Sequence, residues 1–244
     1  MPGKPRVYGE SGYMHLTARG NGKQILFEER PDYLYFLHLL KRFSIETKVS
    51  ICAYCLMENH FHLLIYDPEK NVSLFMKKLC VTYAGYFNRK YVRTGHLFQG
   101  RFGSKVIDDE EYFLTVFRYI LNNPRESGIN NAADYPWSSY KNYGDPNSFV
   151  DTKIIQELLG SRQEYEEFIS SKYEEDPELI AVKHNDEWAQ KIIRECLNVE
   201  SGTVLQSYDF QKRNDAIRLL KEKGLSIRQI ERLTGINRNA IYRA

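Results

Sequence analysis

The chain has 244 residues, 42% hydrophobic and 14% aromatic, enough to bury a core in one catalytic domain and a smaller second one. No run of about 18 apolar residues occurs, and the basic N-terminus, MPGKPRVYGE, lacks an apolar stretch; neither a transmembrane helix nor a signal peptide is expected. The net charge of +2 hides a division: residues 1–144 carry +5 (19 Lys and Arg against 14 Asp and Glu), residues 145–211 carry −9 (6 against 15), and residues 212–244 carry +6 (9 against 3).

Two basic blocks flanking an acidic one suit a polyanionic partner and a solvated spacer. Four cysteines is a low count, which points to a reducing compartment and an expected cytoplasmic, nucleoid-associated location. Cys52 and Cys55 lie three apart in the strand-like run VSICAYCLM, so they are expected on opposite faces as buried core thiols rather than as a metal or redox pair.

In chain order, SGYMHLTARG reads as a strand closed by Gly20. PDYLYFLHLLKRFSIE carries apolar residues at helical spacing after a Pro-Asp start. VSICAYCLM and FHLLIYD read as two strands of a hairpin, with Glu58 and Asn59 between them. NVSLFMKKLCVTYAGYFNRKY is a second helix and QGRFGSKVI a fourth strand. DDEEYFLTVFRYILNN opens with acids, which favour a helix N-terminus, and stops before Pro124. The expected class is therefore α+β: a ferredoxin-like βαββαβ core with an added catalytic helix, followed by an α-helical C-terminal region. The expected domains are 1–145, an acidic helical spacer over 146–211, and a helix-turn-helix over 212–244. In that tail RNDAIRLLKEKG ends at Gly224, Ser226 is a candidate N-cap, and a turn at Gly235 precedes a short helix with Arg238, Asn239, Tyr242 and Arg243.

The stretch MENHFHLLI places two imidazoles, His60 and His62, on one face of a strand, with Phe61 on the other. Two ligands do not complete a metal site. FRYILNNP supplies Tyr119 and Asn123, four apart on one helix face, so a single helix could aim a phenol and an amide oxygen at the histidines. Imidazole plus oxygen donors suit Mg²⁺ or Mn²⁺ with open positions. Such an ion polarises a phosphodiester oxygen, and Tyr119 is the candidate nucleophile, with Tyr112, Tyr83 and Tyr86 as rivals. His15, Arg19 and Arg101 are candidate DNA contacts, as are Arg238, Asn239 and Arg243 in the tail; His15 reads equally as a core histidine. Phe98 and Phe102 are candidates for stacking on unpaired bases, against a plain core role.

These motifs, together with YMHLTARGNGKQILF, GHLFQGRFGSKVI, YILNNPRESGI and YPWSSYKNY, resemble the single-tyrosine transposases of the HUH superfamily, and among them the REP-associated tyrosine transposases, over roughly residues 5–145. The resemblance implies a ferredoxin-like fold, single-stranded DNA substrates with hairpins, a divalent metal, and cleavage through a 5′-phosphotyrosine. It assigns His60 and His62 to the paired histidine ligands, Tyr119 to the nucleophile and Asn123 to the third ligand. Glu58 departs from the family pattern, standing where many relatives have Pro. The C-terminal helix-turn-helix, absent from the shortest relatives, adds duplex DNA as a second expected partner.

The implied protein is a metal-dependent DNA-nicking and strand-joining transposase, a monomer or homodimer without a membrane partner. The alternative is a DNA-binding regulator of palindromic repeats with little turnover; a weaker one is a metal-independent RNA-processing nuclease.

Overall fold

The computed structural model describes residues 6–129, 131–171, 186–223, 225 and 227–243. They fall into two compact units, Met1–Lys172 and Tyr173–Ala244.

The first unit is built on four strands, β1 (Tyr13–Arg19), β2 (Ser50–Met57), β3 (His60–Tyr66) and β4 (Gly103–Ile107), in the order β2-β3-β1-β4. Every neighbouring pair is antiparallel. This is the split βαβ order expected from the alternation of elements. Helices α1 (Arg30–Thr47) and α2 (Val72–Lys90) bury Phe36, Leu39, Phe43, Phe75, Leu79 and Tyr83 against Leu16, Phe61, Leu63 and Leu56 on one face of the sheet. Period-two alternation then sends Tyr13, His15 and Thr17 of β1, and His60, His62 and Leu64 of β3, to the opposite face. Helix α3 (Glu110–Asn122) packs on that face, with Phe113 edge-on to Tyr13 at 4.9 Å.

The local chemistry of these elements is legible. The Asp109 side chain accepts from the Tyr112 amide at the start of α3, with Glu110 and Glu111 in the first turn, and Pro124 ends the helix. The β2–β3 turn is clamped: Leu26 and Phe27 amides donate to the Glu58 carbonyl, and Gly20 donates to that of Asn59. This fixes the start of β3, where His60 stands.

Strand β4 is shorter than expected. Residues 99–102 leave the ladder because Gly100 turns at φ +66° and Gln99 donates instead to the Arg19 carbonyl. Cys52 and Cys55 are both buried and in no disulfide, as read from sequence, although a bulge between Ile51 and Ala53 interrupts the register at Cys52. The exposed edge of β2 is covered by the segment from Tyr135 to Asp151: Leu56 donates to the Trp137 carbonyl, and the Tyr54 amide to Ser139 Oγ. The YPWSSY motif thus closes a sheet edge.

The division into units does not follow the expected boundaries at 145 and 211. Helices α4 (Lys153–Leu159) and α5 (Arg162–Ser170), inside the stretch expected as a spacer, belong to the first unit. Their surface is charged, but Tyr165 is fully buried, stacks on Tyr143 at 4.1 Å and donates to the Tyr140 carbonyl. Ile169 is buried too, and its carbonyl accepts from Asn122 Nδ2 at 2.9 Å, which ties α5 to the end of α3.

The second unit holds α6 (Asp186–Leu197), α7 (Phe210–Glu222), α8 (Ile227–Thr234) and α9 (Arg238–Arg243) around Ala189, Ile193, Ile217, Leu220, Ile230 and Ile241. Helices α8 and α9 are joined by Gly235, Ile236 and Asn237. Gly235 takes φ +71°, and buried Thr234 links the turn to α8 through bonds to the Ile230 carbonyl and the Ile236 amide. Gly224 and Ser226, expected to end one helix and cap the next, lie outside the described residues, as do the side chains of Asn239, Tyr242 and Arg243.

Candidate active site

His60 and His62 stand on β3 and share the sheet face that α3 covers; α3 brings Tyr119, and Asn123 follows at its C-cap. The Tyr119 ring lies edge-on to His62, with centroids 5.4 Å apart. Asn123 Oδ1 is 3.3 Å from His60 Nε2. His60 is half-buried, whereas His62, Tyr119 and Asn123 are 0%, 1% and 1% exposed. The rival tyrosines serve elsewhere: Tyr83 donates to the Leu26 carbonyl in the core, Tyr86 donates to Asp32, and Tyr112 lies beneath Lys105.

Each histidine is oriented by a second residue. His60 Nδ1 bonds to Asn59 Oδ1 at 2.8 Å, and His62 Nδ1 to His15 Nε2 at 2.9 Å. Asn59 Oδ1 can only accept, so His60 carries its proton on Nδ1 and, in the neutral ring, presents a lone pair at Nε2. That lone pair faces Asn123 Oδ1, a second acceptor. Two acceptors turned toward each other are what a cation between them would relieve, and Asn123 Nδ2 is buried without a hydrogen-bond partner among the described residues. With Nδ1 of His62 committed to His15, a metal on His62 would be held through Nε2. Two imidazole nitrogens and one amide oxygen fit a divalent ion such as Mg²⁺ or Mn²⁺ with open positions. Among the described residues, no group of three or more His, Cys, Asp or Glu side chains is arranged to hold a metal, so a metal at this site would need the Asn123 amide as its third donor.

Residues 10–123 match the family model described as transposase IS200 like. That stretch is similar to IS200-like transposases. The match contains every residue of the site, and the compact unit that holds it continues through the edge cover and α5. A solved structure described as the REP-associated tyrosine transposase bound to a REP hairpin is similar in fold: TM-score 0.51 at 18% identity, covering 59% of this chain and 85% of that one. No curated protein matches the sequence.

The candidate DNA contacts of the first unit divide. His15 is 3% exposed and sits beside His62, not at the surface. Burial, and then the charge of Lys105, push its pKa down to about 3, so it is a neutral imidazole at physiological pH. Arg19 pairs with His60 across the β1–β3 ladder and, with Arg101, Phe98 and Phe102, lines one cleft. In the second unit Arg238 forms an ion pair with Glu231. The sequence reading missed Asn59 as the partner of His60 and Asn122 as the anchor for α5. No helix among the described residues is long and apolar enough to cross a membrane.

Proposed function

We propose that the protein is a metal-dependent single-stranded DNA endonuclease and transposase that nicks and rejoins hairpin-bearing DNA through a 5′-phosphotyrosine intermediate. The observation that carries this is the convergence of His60, His62 and Asn123 with the Tyr119 ring on one sheet face. The match of residues 10–123 to the transposase model supports DNA cleavage and transfer as the activity, and the likeness to a transposase solved on a hairpin supports hairpin DNA as the substrate.

Mg²⁺ or Mn²⁺, when bound, supplies a Lewis acid for an oxygen of the scissile phosphate. His60, His62 and Asn123 would hold it, and Asn59 and His15 keep the two rings in place. Tyr119 Oη attacks phosphorus and loses its proton; the P–O3′ bond breaks and the 3′ oxygen leaves as a hydroxyl. The 5′-phosphate stays on Tyr119, so attack by a second 3′-hydroxyl reverses the step without a further energy source. The basic stretch 212–244 of the C-terminal unit, with its three-residue turn between α8 and α9, is read as a helix-turn-helix that contacts duplex DNA.

A second reading, a DNA-binding regulator with little turnover, draws on the burial of Tyr119, whose hydroxyl must become accessible before it can meet a phosphodiester. The two part on one assay: purified protein with hairpin-bearing oligonucleotides in Mn²⁺ or in chelator. Metal-dependent cleavage that His62→Ala abolishes supports the enzyme. Tight binding without cleavage supports the regulator.

A further inference from the structure

The cleft lined by Arg19 has a volume of about 190 Å³ and lies between α2 and the turn that leads into β4. It adjoins the site: Arg19 is the register partner of His60, and the turn is strapped to β1 by the bond from the Gln99 amide to the Arg19 carbonyl, 2.8 Å.

Its lining is selective in chemistry. Phe98 and Phe102 supply aromatic surface, and Arg19, Lys77 and Arg101 supply positive charge; among the described residues no carboxylate lines it. Phe98 is anchored from behind by the Phe61 and Tyr83 rings, so it is a fixed platform. Arg6 stacks on Phe102 at 3.3 Å and donates to the Phe102 carbonyl, which adds a fourth cation and holds that ring too. Arg19 Nε is buried with no hydrogen-bond partner among the described residues, a donor placed in the wall with nothing to receive it. The volume is below the roughly 300–1,000 Å³ of pockets for drug-sized ligands and suits one planar ring system.

We propose that this cleft receives one unpaired nucleotide of the DNA strand, its base against Phe98 and Phe102 and its phosphate on Arg19, Lys77 and Arg101. Aromatic faces with flanking cations are how proteins hold unpaired bases. The proposal rests on the DNA-processing function above and adds where the single-stranded part of the substrate lies: beside His60, at the end of the sheet where the strand would enter. It also gives the Arg19, Phe98, Arg101 and Phe102 cluster one shared task.

The test uses the full chain in chelator, with two fluorescent DNA hairpins, one blunt and one carrying an unpaired extension. Phe102→Leu and Lys77→Ala should each weaken binding of the extended hairpin by roughly tenfold and leave the blunt one unchanged. Lys77→Ala, a substitution at an exposed position, should also lower the salt dependence by about one phosphate contact. Ultraviolet cross-linking of 5-iodouracil placed in the extension should map to peptides containing Phe98 or Phe102. Equal losses on both hairpins, no loss on either, or cross-links only elsewhere would overturn the assignment. A free deoxynucleoside monophosphate presents the same chemistry; its displacing the extension at micromolar concentration would overturn DNA as the occupant. Wild-type protein that binds neither hairpin overturns the function proposed above and the cleft's role with it, and that failure is seen before any variant is made.

Discussion

His15 Nε2 lies 2.9 Å from His62 Nδ1, on neighbouring strands and with both rings buried. The contact orients a ring that would hold a metal through its other nitrogen, the arrangement in which a residue behind the ligand sets its tautomer. His15→Leu is therefore predicted to weaken Mn²⁺ binding roughly 10- to 100-fold while the protein stays folded. Calorimetric titration of Mn²⁺ into the purified variant checks it; an affinity equal to wild type would show that His15 is only core.

Asp32 is buried at the start of α1 and accepts from the Glu28 and Glu29 amides, the Tyr86 and Tyr91 hydroxyls and Lys90. Burial pushes its pKa up, but the hydrogen bonds from Lys90, Tyr91, Glu29 and Tyr86 outweigh that and hold it below the usual carboxylate range. The folded pKa is depressed, so the stabilisation is fully present above about pH 4 and is lost as pH falls through the folded value. Asp32→Asn should cost about 3 kcal/mol at neutral pH and flatten the acid limb of the stability profile. Urea unfolding at neutral pH and at about pH 3 measures both, and an unchanged acid limb contradicts the role.

Just past the C-cap of α2 stands Val92, a β-branched residue at φ +49° and 93% exposed, with the Arg93 amide bonded to the Asn88 carbonyl. Glycine is the residue this left-handed position favours. Val92→Gly should stabilise the first unit by about 1 kcal/mol, read as a higher urea midpoint with the same slope.

Gly235 turns the chain between α8 and α9, and a Cβ there would stand 2.2 Å from Gln206 Nε2, which donates to the Thr234 carbonyl. Gly235→Ala is expected to destabilise the second unit by about 1–2 kcal/mol and to weaken duplex DNA binding, with hairpin cleavage by the first unit retained. Anisotropy on a duplex beside a cleavage assay separates the two; parallel loss of both would contradict the division of labour.

Much of this was legible from residue order because the signals are local. Alternation placed His60 and His62 together and Phe61 in the core, and apolar spacing located α1, α2 and α3. The limits are as physical. The bond between His15 and His62 depends on strand register, which a residue pattern does not reveal, so His15 looked as much like a DNA contact as a core residue. Helix α5 looked like a spacer because one buried stripe, Tyr165 and Ile169, suffices to dock an otherwise charged helix. The shortening of β4 turned on Gly100, whose left-handed backbone removes four residues that have strand-like composition.

The covalent bond proposed between Tyr119 and DNA is open to direct detection. Purified protein is incubated with 5′- or 3′-labelled hairpin oligonucleotides in Mn²⁺ and resolved on a denaturing gel, with the adduct digested and its peptide identified by mass spectrometry. The expected result is a metal-dependent protein–DNA band that carries the 5′-phosphate on Tyr119 and disappears in Tyr119→Phe, while that variant still binds the hairpin. Cleavage that persists in Tyr119→Phe, or an adduct on another tyrosine, would contradict it.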